Sequence, residues 1–466
     1  MVPRMHLDRL PLTALAARRA RLAAALPDAA LVFASGRSSP RNYADNAFPY
    51  RAASHFLYLV GAQLESSFLT LRDGRFTLFA RAPTATDLLW DGPSPSLATL
   101  SERLGIEVQG LDRLEAHLAS RNDWAALPTP DALGCKDLSR LLGRAVRPGV
   151  LAPRDEPLAD AMIALRLVHD EAALQEFRAG AAITHEVHLA GMGASAPGRT
   201  EAQVRAAMEY EALARDVPLA YQPIVSVHGE VLHSHTYRNP LSEGDLLLAD
   251  VGAESPGGWA TDVTRTWPVS GRFSSTQRAF YDVVLAAQLA AIDRVRPGVR
   301  YLEVHLTAAR ELARGLCALG VLRGDPEELV ADGVVGLLFP HGIGHLMGLD
   351  VHDMEDLGDR AGYAPGRTRS TQFGLRSLRL DRDLEPGMVV TIEPGLYLVP
   401  AILGDVELTA AAGDRLDRQE LSRFADVRGI RIEDDVAVTR GEPEVLTASI
   451  PKRAEEVEAL VGRSTR

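Results

Sequence analysis

The pattern of apolar and polar positions divides the chain into two regions of different character. Up to about residue 150, strand-like apolar runs such as ALVFAS alternate with runs at helical spacing such as LATLSERLG. The stretches HFLYLVGA and FLTLRDGRFTLFA belong to the same alternation. This alternation predicts a small α/β domain over residues 1–155.

The second region follows RAVRPGVLAPRDEP, a break rich in proline, arginine and glycine. It opens on a long helical pattern, of which we assign residues 156–175 to a linker helix. From about residue 220 strand-like runs dominate, with helical stretches near 275–317 and 325–337 between them. The pattern predicts an α+β domain over 176–455 and a short tail over 456–466.

Length and composition narrow the class of protein. A chain of 466 residues is too long for one ordinary core, which agrees with two domains. The net charge of −12 argues against nucleic-acid or anionic-membrane partners, and no apolar run is long enough to span a membrane. Two separated cysteines do not suggest a disulfide framework, so we predict a cytoplasmic protein.

Four carboxylates stand on strand-like runs that are otherwise largely apolar. Each has an ordinary alternative explanation as a turn acceptor, a cap or a partner of a nearby arginine. Four buried carboxylates without partners would be very costly, so together they require cations or hydrogen-bond donors. The four are Asp250, Asp262, Glu393 and Glu433.

The segment FPHGIGHLMGLDVHD adds three of the 13 histidines, His341, His345 and His352. HGIGH has glycines and lacks the glutamate of a zincin helix, so it does not predict that kind of zinc site. Four carboxylates and one imidazole suit two divalent ions such as Mn²⁺, Co²⁺ or Zn²⁺, because four negative charges neutralise two such ions. The sequence therefore predicts a two-metal site.

In their order along the chain, LADVGAE, ATDVTRTWPV, PHGIGHLMGLDVHD, PGMVVTIEPGLY and GIRIEDDVAVT resemble the ligand-bearing segments of the pita-bread metallopeptidases. That family includes aminopeptidase P, prolidase, methionine aminopeptidase and creatinase. PYRAASHFLYLVG resembles the creatinase-like first domain of the proline-specific members. The resemblance implies a creatinase/aminopeptidase P-like α/β domain, an α+β pita-bread catalytic domain and a homodimer. It also implies two divalent ions, with Mn²⁺ as first choice and Co²⁺, Zn²⁺ or Fe²⁺ as alternatives.

The resemblance also assigns roles to residues. Asp250 would bind one metal, Asp262 and Glu433 would bridge both, and His345 and Glu393 would complete the second. Water activated by the two ions would attack the scissile carbonyl, and Glu393 would carry its proton to the leaving proline nitrogen. Catalytic roles fall on Glu393, His352 and His233, and substrate-binding roles on His233, His341, His352, Arg379, Tyr397 and Arg431.

Two inserts bear on the choice of substrate. The connections from His345 to Glu393 and from Glu393 to Glu433 are long and resemble those of prolidase. GLRSLR resembles the prolidase segment whose arginine binds the dipeptide carboxylate, which falls here on Arg379; a plain ion pair is the alternative. We therefore predict an Xaa-Pro dipeptidase, with an Xaa-Pro aminopeptidase acting on longer peptides as the alternative.

Two further classes are more distant. A metal-free binding module of this fold, or a creatinase-like C–N hydrolase, would be expected to lack part of the ligand set. All five positions here carry coordinating side chains, which favours the metallopeptidase.

Overall fold

The computed structural model describes residues 11–43 and 45–463. The chain forms two units, each with its own apolar core. Unit 1 contains the described part of residues 1–172 together with 354–361, and unit 2 contains residues 173–353 and the described part of 362–466. The boundaries drawn from the sequence at residues 155, 175 and 455 stay predictions, and residues 1–10 and 464–466 of the predicted first domain and tail lie outside the described residues.

Unit 1 is an α/β structure around a five-stranded sheet with the strand order β4-β3-β2-β1-β5. β1, β2 and β3 pair antiparallel, whereas β4 and β5 pair parallel with β3 and β1. Its elements are α1 (Leu12–Ala25), β1 (Leu31–Ala34), α2 (Ser54–Val60), β2 (Phe68–Arg72), β3 (Arg75–Ala80), α3 (Ala85–Trp90), α4 (Leu97–Leu104), β4 (Glu107–Gly110), α5 (Leu114–Leu118), β5 (Ala125–Ala126), α6 (Ala132–Leu142) and α7 (Glu156–Arg166).

Local sequence explains the hairpin of β2 and β3 and the end of α2. β2 and β3 form a hairpin whose two turn residues, Asp73 and Gly74, both have positive φ, a conformation that Asp and Gly adopt readily in tight hairpin turns. The continuously apolar run HFLYLV is compatible with a helix or a strand. It forms α2, all seven residues of which are buried, and Gly61 ends this helix in the left-handed conformation.

Unit 2 is an α+β structure with three small antiparallel sheets, ordered β6-β7-β8, β13-β12-β9 and β10-β11. Its elements are α8 (Glu171–Ala194), α9 (Glu201–Leu213), β6 (Ile224–Ser226), β7 (Leu246–Asp250), β8 (Thr264–Pro268), α10 (Ser275–Asp293), α11 (Tyr301–Ala318), α12 (Pro326–Ala331), α13 (Asp359–Gly362), β9 (Val389–Ile392), β10 (Gly395–Tyr397), α14 (Pro400–Leu403), α15 (Val406–Ala410), α16 (Arg418–Ser422), β11 (Gly429–Arg431), β12 (Asp434–Ala437), β13 (Glu444–Val445) and α17 (Ala454–Glu458), with the ends of α8 and α13 shared with unit 1.

The strand registers of unit 2 align the ends that carry polar residues. Asp250 at the end of β7 lies opposite Thr264 at the start of β8. In the β10–β11 pair, Gly395 lies opposite Arg431. The apolar faces of β7 and β8 pack with α8 and α9 around the buried indole of Trp267, so the polar strand ends lie beside a rigid core.

Residues 354–361 leave unit 2 and belong to unit 1. There Asp356 Oδ2 lies 3.3 Å from His55 Nε2, and Arg360 forms a salt bridge with Asp160 at 2.8 Å. Nothing in the hydrophobic pattern predicted this excursion. Among residues 11–43 and 45–463, none of the helices combines the length and apolar character needed to cross a membrane.

Candidate metal centre

Asp250 and Asp262 come from neighbouring strands and meet at one tyrosine hydroxyl. Asp250 ends β7, and Asp262 precedes the first residue of β8 by two positions. The Tyr221 hydroxyl oxygen lies 2.5 Å from Oδ1 of each aspartate. A phenol has a single hydrogen and donates to one carboxylate at a time, so the second short contact requires another proton or a cation.

Glu433 lies between β11 and β12 and is oriented by β8. The Thr264 hydroxyl donates to Glu433 Oε2 at 2.6 Å. The Glu433 amide donates to the Thr264 carbonyl at 3.1 Å, so the same residue holds both backbone and side chain. Strand β8 thereby fixes a second carboxylate close to Asp262.

His345 presents a nitrogen lone pair to the carboxylates. Its Nδ1 lies 3.0 Å from the Leu346 carbonyl, which can only accept, so Nδ1 carries the hydrogen in the neutral ring. Nε2 lies 3.4 Å from Asp262 Oδ2 and 3.8 Å from Glu393 Oε1. A lone pair facing two acidic oxygens is the arrangement that a bound cation satisfies.

Glu393 is placed by the pairing of β9 with the glycine-rich loop. The His345 amide donates to the Thr391 hydroxyl, and the Thr391 amide donates to the His345 carbonyl, both at 3.0 Å. Two residues further on, the Glu393 amide donates to the Ile343 carbonyl at 2.8 Å. This ladder holds Glu393 beside His345.

The cluster is buried and rich in negative charge. One ligand atom from each of Asp262, His345 and Glu433 lies within 4.8 Å of the other two. Burial raises the pKa values of Asp262, Glu393 and Glu433, and repulsion from neighbouring carboxylates raises them further. Bound divalent ions would stabilise the ionised form of these carboxylates. A donor set of carboxylate oxygens with one imidazole nitrogen fits such ions.

A buried hydrogen-bonded chain runs along one side of the cluster. The Arg431 guanidinium donates to Asp250 Oδ2 at 2.5 Å and to the Tyr397 hydroxyl at 3.0 Å. The Tyr397 hydroxyl lies 2.9 Å from His341 Nε2, while His341 Nδ1 donates to the Gly342 carbonyl. The Tyr397 hydroxyl is thus free to donate to Nε2, and burial lowers the pKa of His341 to about 3.

The remaining predicted substrate residues lie near this chain. The rings of His345 and His352 are 4.2 Å apart between centroids. Burial lowers the pKa of His233, and the charges of Arg431, Arg379 and His352 lower it further. The charges of His352 and Arg379 are therefore near enough to His233 to affect its pKa. The substrate-binding roles of all three residues stay predictions.

Comparison with known proteins identifies the family. Residues 175–440 match metallopeptidase family M24, and residues 15–125 match the aminopeptidase P N-terminal domain. The first match covers more than half of the chain. The chain belongs to metallopeptidase family M24.

Relatives of this M24 chain include two kinds of enzyme. It is 31% identical over 457 residues to the Xaa-Pro aminopeptidase of Escherichia coli strain K12, covering 93% of each chain. It is 29% identical over 450 residues to the Xaa-Pro dipeptidase of Homo sapiens, covering 92% of this chain and 88% of the relative. The structure of Pseudomonas aeruginosa aminopeptidase PepP superposes with a TM-score of 0.80 and 30% identity over 97% of this chain and 98% of that one.

The predicted family and fold class are confirmed. The two matches give an aminopeptidase P-type N-terminal domain followed by an M24 domain. Membership of M24 makes the protein a metallopeptidase that uses divalent metal ions.

The glycines of the M24 HGIGH loop have a packing role. A Cβ on Gly342 would lie 2.8 Å from Leu378 Cα, and one on Gly344 would lie 2.3 Å from the Thr391 carbonyl oxygen. Gly344 also has a φ of +154°. The two glycines therefore let the loop pack directly against the backbone of Leu378 and Thr391.

Tyr221, Thr391 and Thr264 contact the ligand set, and the sequence did not assign them to it. Tyr221 lies between α9 and β6, outside any periodic run, so no hydrophobic pattern marks it. The nearest sequence signal for both threonines is their spacing: each lies on a strand, two residues from a carboxylate, which in an extended chain puts the two side chains on the same face.

Proposed function

We propose that this M24 protein is a dinuclear exopeptidase that hydrolyses the bond between an N-terminal residue and proline. The observation that carries the proposal is the convergence of one imidazole nitrogen and buried carboxylates at a single site. Two relatives that match most of the chain are both Xaa-Pro peptidases, and this supplies the substrate class.

The proposed metal ligands are Asp250, Asp262, His345, Glu393 and Glu433, with Asp262 and Glu433 shared between the ions. Their oxygen-rich set favours Mn²⁺, with Co²⁺, Zn²⁺ and Fe²⁺ as alternatives. Two bound ions would polarise the scissile carbonyl and lower the pKa of the attacking water.

Glu393 is the proposed proton carrier. Without metal, burial raises the pKa of Glu393 to about 7. A carboxyl group placed at the site can both accept a proton and release it. It would take the proton of the attacking water and deliver it to the proline nitrogen as the C–N bond breaks. The positive charge of Arg431 opposes this rise in pKa and favours the ionised form of Glu393.

His352 and His233 are the proposed donors to the substrate. A ring N–H from either histidine would stabilise negative charge on the carbonyl oxygen as the tetrahedral intermediate forms. The Arg431–Tyr397–His341 chain would hold the prolyl side of the pocket in a fixed shape.

Arg379 is the proposed determinant of substrate length. Its charge acts on His233, and the adjacent Leu378 packs against Gly342 of the catalytic loop. A guanidinium at a fixed distance from the metals would favour a substrate that ends in a carboxylate right after proline. We therefore favour the Xaa-Pro dipeptidase, and the Xaa-Pro aminopeptidase stays the alternative because relatives of both kinds match equally well.

The Arg379→Ala variant tests this choice. If Arg379 binds the terminal carboxylate, kcat/KM for an Xaa-Pro dipeptide falls about 100-fold, while that for an Xaa-Pro-Yaa tripeptide stays within about threefold. Arg376→Ala is the matched control, because Arg376 is an exposed neighbour that lies over the Phe373 ring. Equal losses on both substrates would contradict the length-determining role.

Metal removal tests the function itself. We expect chelated protein to lose Xaa-Pro cleavage and to regain it with about two equivalents of Mn²⁺ per chain. Full activity after chelation would support a creatinase-like hydrolase, and a folded chain that neither binds metal nor cleaves peptides would support a binding module.

We also propose a cytoplasmic homodimer. Cys135 and Cys317 are both free thiols, which suits a reducing compartment. Light scattering of the purified chain measures the oligomeric state, and a monomer at all concentrations would contradict the dimer.

A further inference from the structure

Lysine is rare in this chain, which makes each lysine informative. Of the 50 lysine and arginine residues only Lys136 and Lys452 are lysine. Lys136 is exposed on α6 of unit 1, whereas the Lys452 side chain is 17% exposed. A mostly buried ammonium in a chain that otherwise uses arginine suggests a position suited to a compact charge.

Lys452 closes a small polar cluster. Its Nζ donates to Asp434 Oδ2 at 2.6 Å and to Gln288 Oε1 at 3.0 Å. The Gln288 amide group donates to the same Asp434 oxygen at 2.7 Å. Asp434 and Gln288 are fully buried, so the ammonium occupies a point between two fixed oxygens. A planar guanidinium on a longer side chain does not match that point.

The other oxygen of Asp434 is bound by two further donors. Arg265 Nη2 donates to Oδ1 at 2.8 Å, and the Thr447 hydroxyl donates to it at 2.7 Å. The carboxylate thus accepts four hydrogen bonds and is paired with two cations. Because both oxygens of this buried carboxylate have hydrogen-bond donors on fixed sides, the Asp434 side chain is held in a single orientation.

Arg265 connects this cluster to the proposed bridging ligand. The same guanidinium that binds Asp434 donates through Nη1 to the Glu433 carbonyl at 2.5 Å. Glu433 precedes Asp434 in the chain, and its amide and side chain are held by Thr264, the neighbour of Arg265. The backbone of the ligand is therefore fixed on one side by Thr264 and on the other by the Arg265–Asp434 pair.

The segment 447–452 supplies one wall of this arrangement. Besides Thr447 and Lys452, the carbonyls of Ile450 and Pro451 accept from Arg265, each at 2.9 Å. This segment lies beyond residue 440, where the match to family M24 ends. Some of the residues that orient Glu433 therefore lie outside the region that matches family M24.

We infer that Lys452 is a positioning residue of the metal centre, which fixes Glu433 through Asp434 and Arg265. The inference rests on the proposed function. It adds residues that contact neither metal nor substrate but determine how well one ligand is preorganised for metal binding.

The test compares full-length Lys452→Met and Lys452→Arg with the wild type. We expect both variants to bind Mn²⁺ about tenfold more weakly, measured by competition with a chelating dye, because an outer contact of the ligand set is lost. Circular dichroism and the Tm of the metal-free protein report folding separately. Lys136→Met is the matched control and keeps wild-type affinity.

The possible outcomes separate three cases. Folded Lys452 variants with wild-type Mn²⁺ affinity and a lowered Tm would make Lys452 purely structural and overturn the inference. Should Lys452→Met not fold, Thr447→Val decides by the same affinity measurement. It removes the hydrogen bond to Asp434 and the acceptor of the Asp435 amide while keeping both cations, and unchanged affinity would then overturn the inference. A wild-type chain that binds no Mn²⁺ or cleaves no Xaa-Pro bond would instead overturn the proposed function.

Discussion

Tyr221 is a neutral side chain that acts on a charged site. Its hydroxyl lies between one oxygen of Asp250 and one of Asp262, and it can donate to only one of them at a time. Burial and the nearby carboxylates raise the pKa of this phenol well above its usual value, so it stays protonated. The hydroxyl therefore orients the two aspartates without adding a negative charge.

Replacing Tyr221 with phenylalanine should weaken metal binding. The aspartates would lose the donor that orients them, and we expect Mn²⁺ affinity to fall about tenfold in chelator competition. Tyr58→Phe is the control, because this buried tyrosine of unit 1 donates to the Leu165 carbonyl at 2.9 Å. Unchanged affinity in Tyr221→Phe would mean that the strands alone position the two aspartates.

At the level of elements, the strand-end carboxylates were predictable because they interrupt an apolar pattern. Four apolar residues lead to Asp250 at the end of β7, so the acid stands out against a fully apolar run. The alternation of IRIEDD likewise placed Glu433 on the same face as Arg431. In each case the apolar pattern predicts which face of the strand is buried and where the strand ends. The polar residue at that end is then a candidate metal ligand.

Contacts made by irregular segments were not predictable from the same pattern. Tyr221 reaches the aspartates from a connection that has no period, and residues 354–361 enter unit 1 between two parts of unit 2. The packing role of Gly344 depends on Thr391, a strand residue far away in the sequence. Such pairings depend on tertiary geometry, which spacing along one chain does not encode.

On the scale of the whole molecule, buried carboxylates make opposite contributions to stability. Burial alone would raise the pKa of Asp434, but Arg265 and Lys452 lower it to about 2. Its stabilising contribution is therefore complete above the ordinary carboxyl pKa and is lost only as the pH falls through about 2. Asp262 and Glu393 behave in the opposite sense, because their pKa values are raised to about 7.

These raised values predict how the stability of the metal-free protein depends on pH. Below the ordinary carboxyl pKa of about 4, folded and unfolded chains are both protonated and no penalty arises. As the pH rises from about 4 to about 7, the unfolded chain ionises these acids while the folded chain still keeps them protonated, so the stability falls; once the folded chain is ionised as well, above about 7, the loss is complete. We expect the Tm of chelated protein to fall by several degrees between about pH 5.5 and about pH 8.

Repeating the measurement of Tm against pH with saturating Mn²⁺ separates the effect of the site's carboxylates from the effect of the protein's overall charge. The net charge of −12 makes general repulsion grow with pH in both forms, so that contribution cancels in the difference between their Tm values. Because the bound ions stabilise ionised carboxylates and binding releases protons, the gap between loaded and chelated Tm should widen as the pH rises. A gap that stayed constant across this range would mean that the ligands are already ionised without metal, and the excess of buried negative charge could not be what drives metal binding.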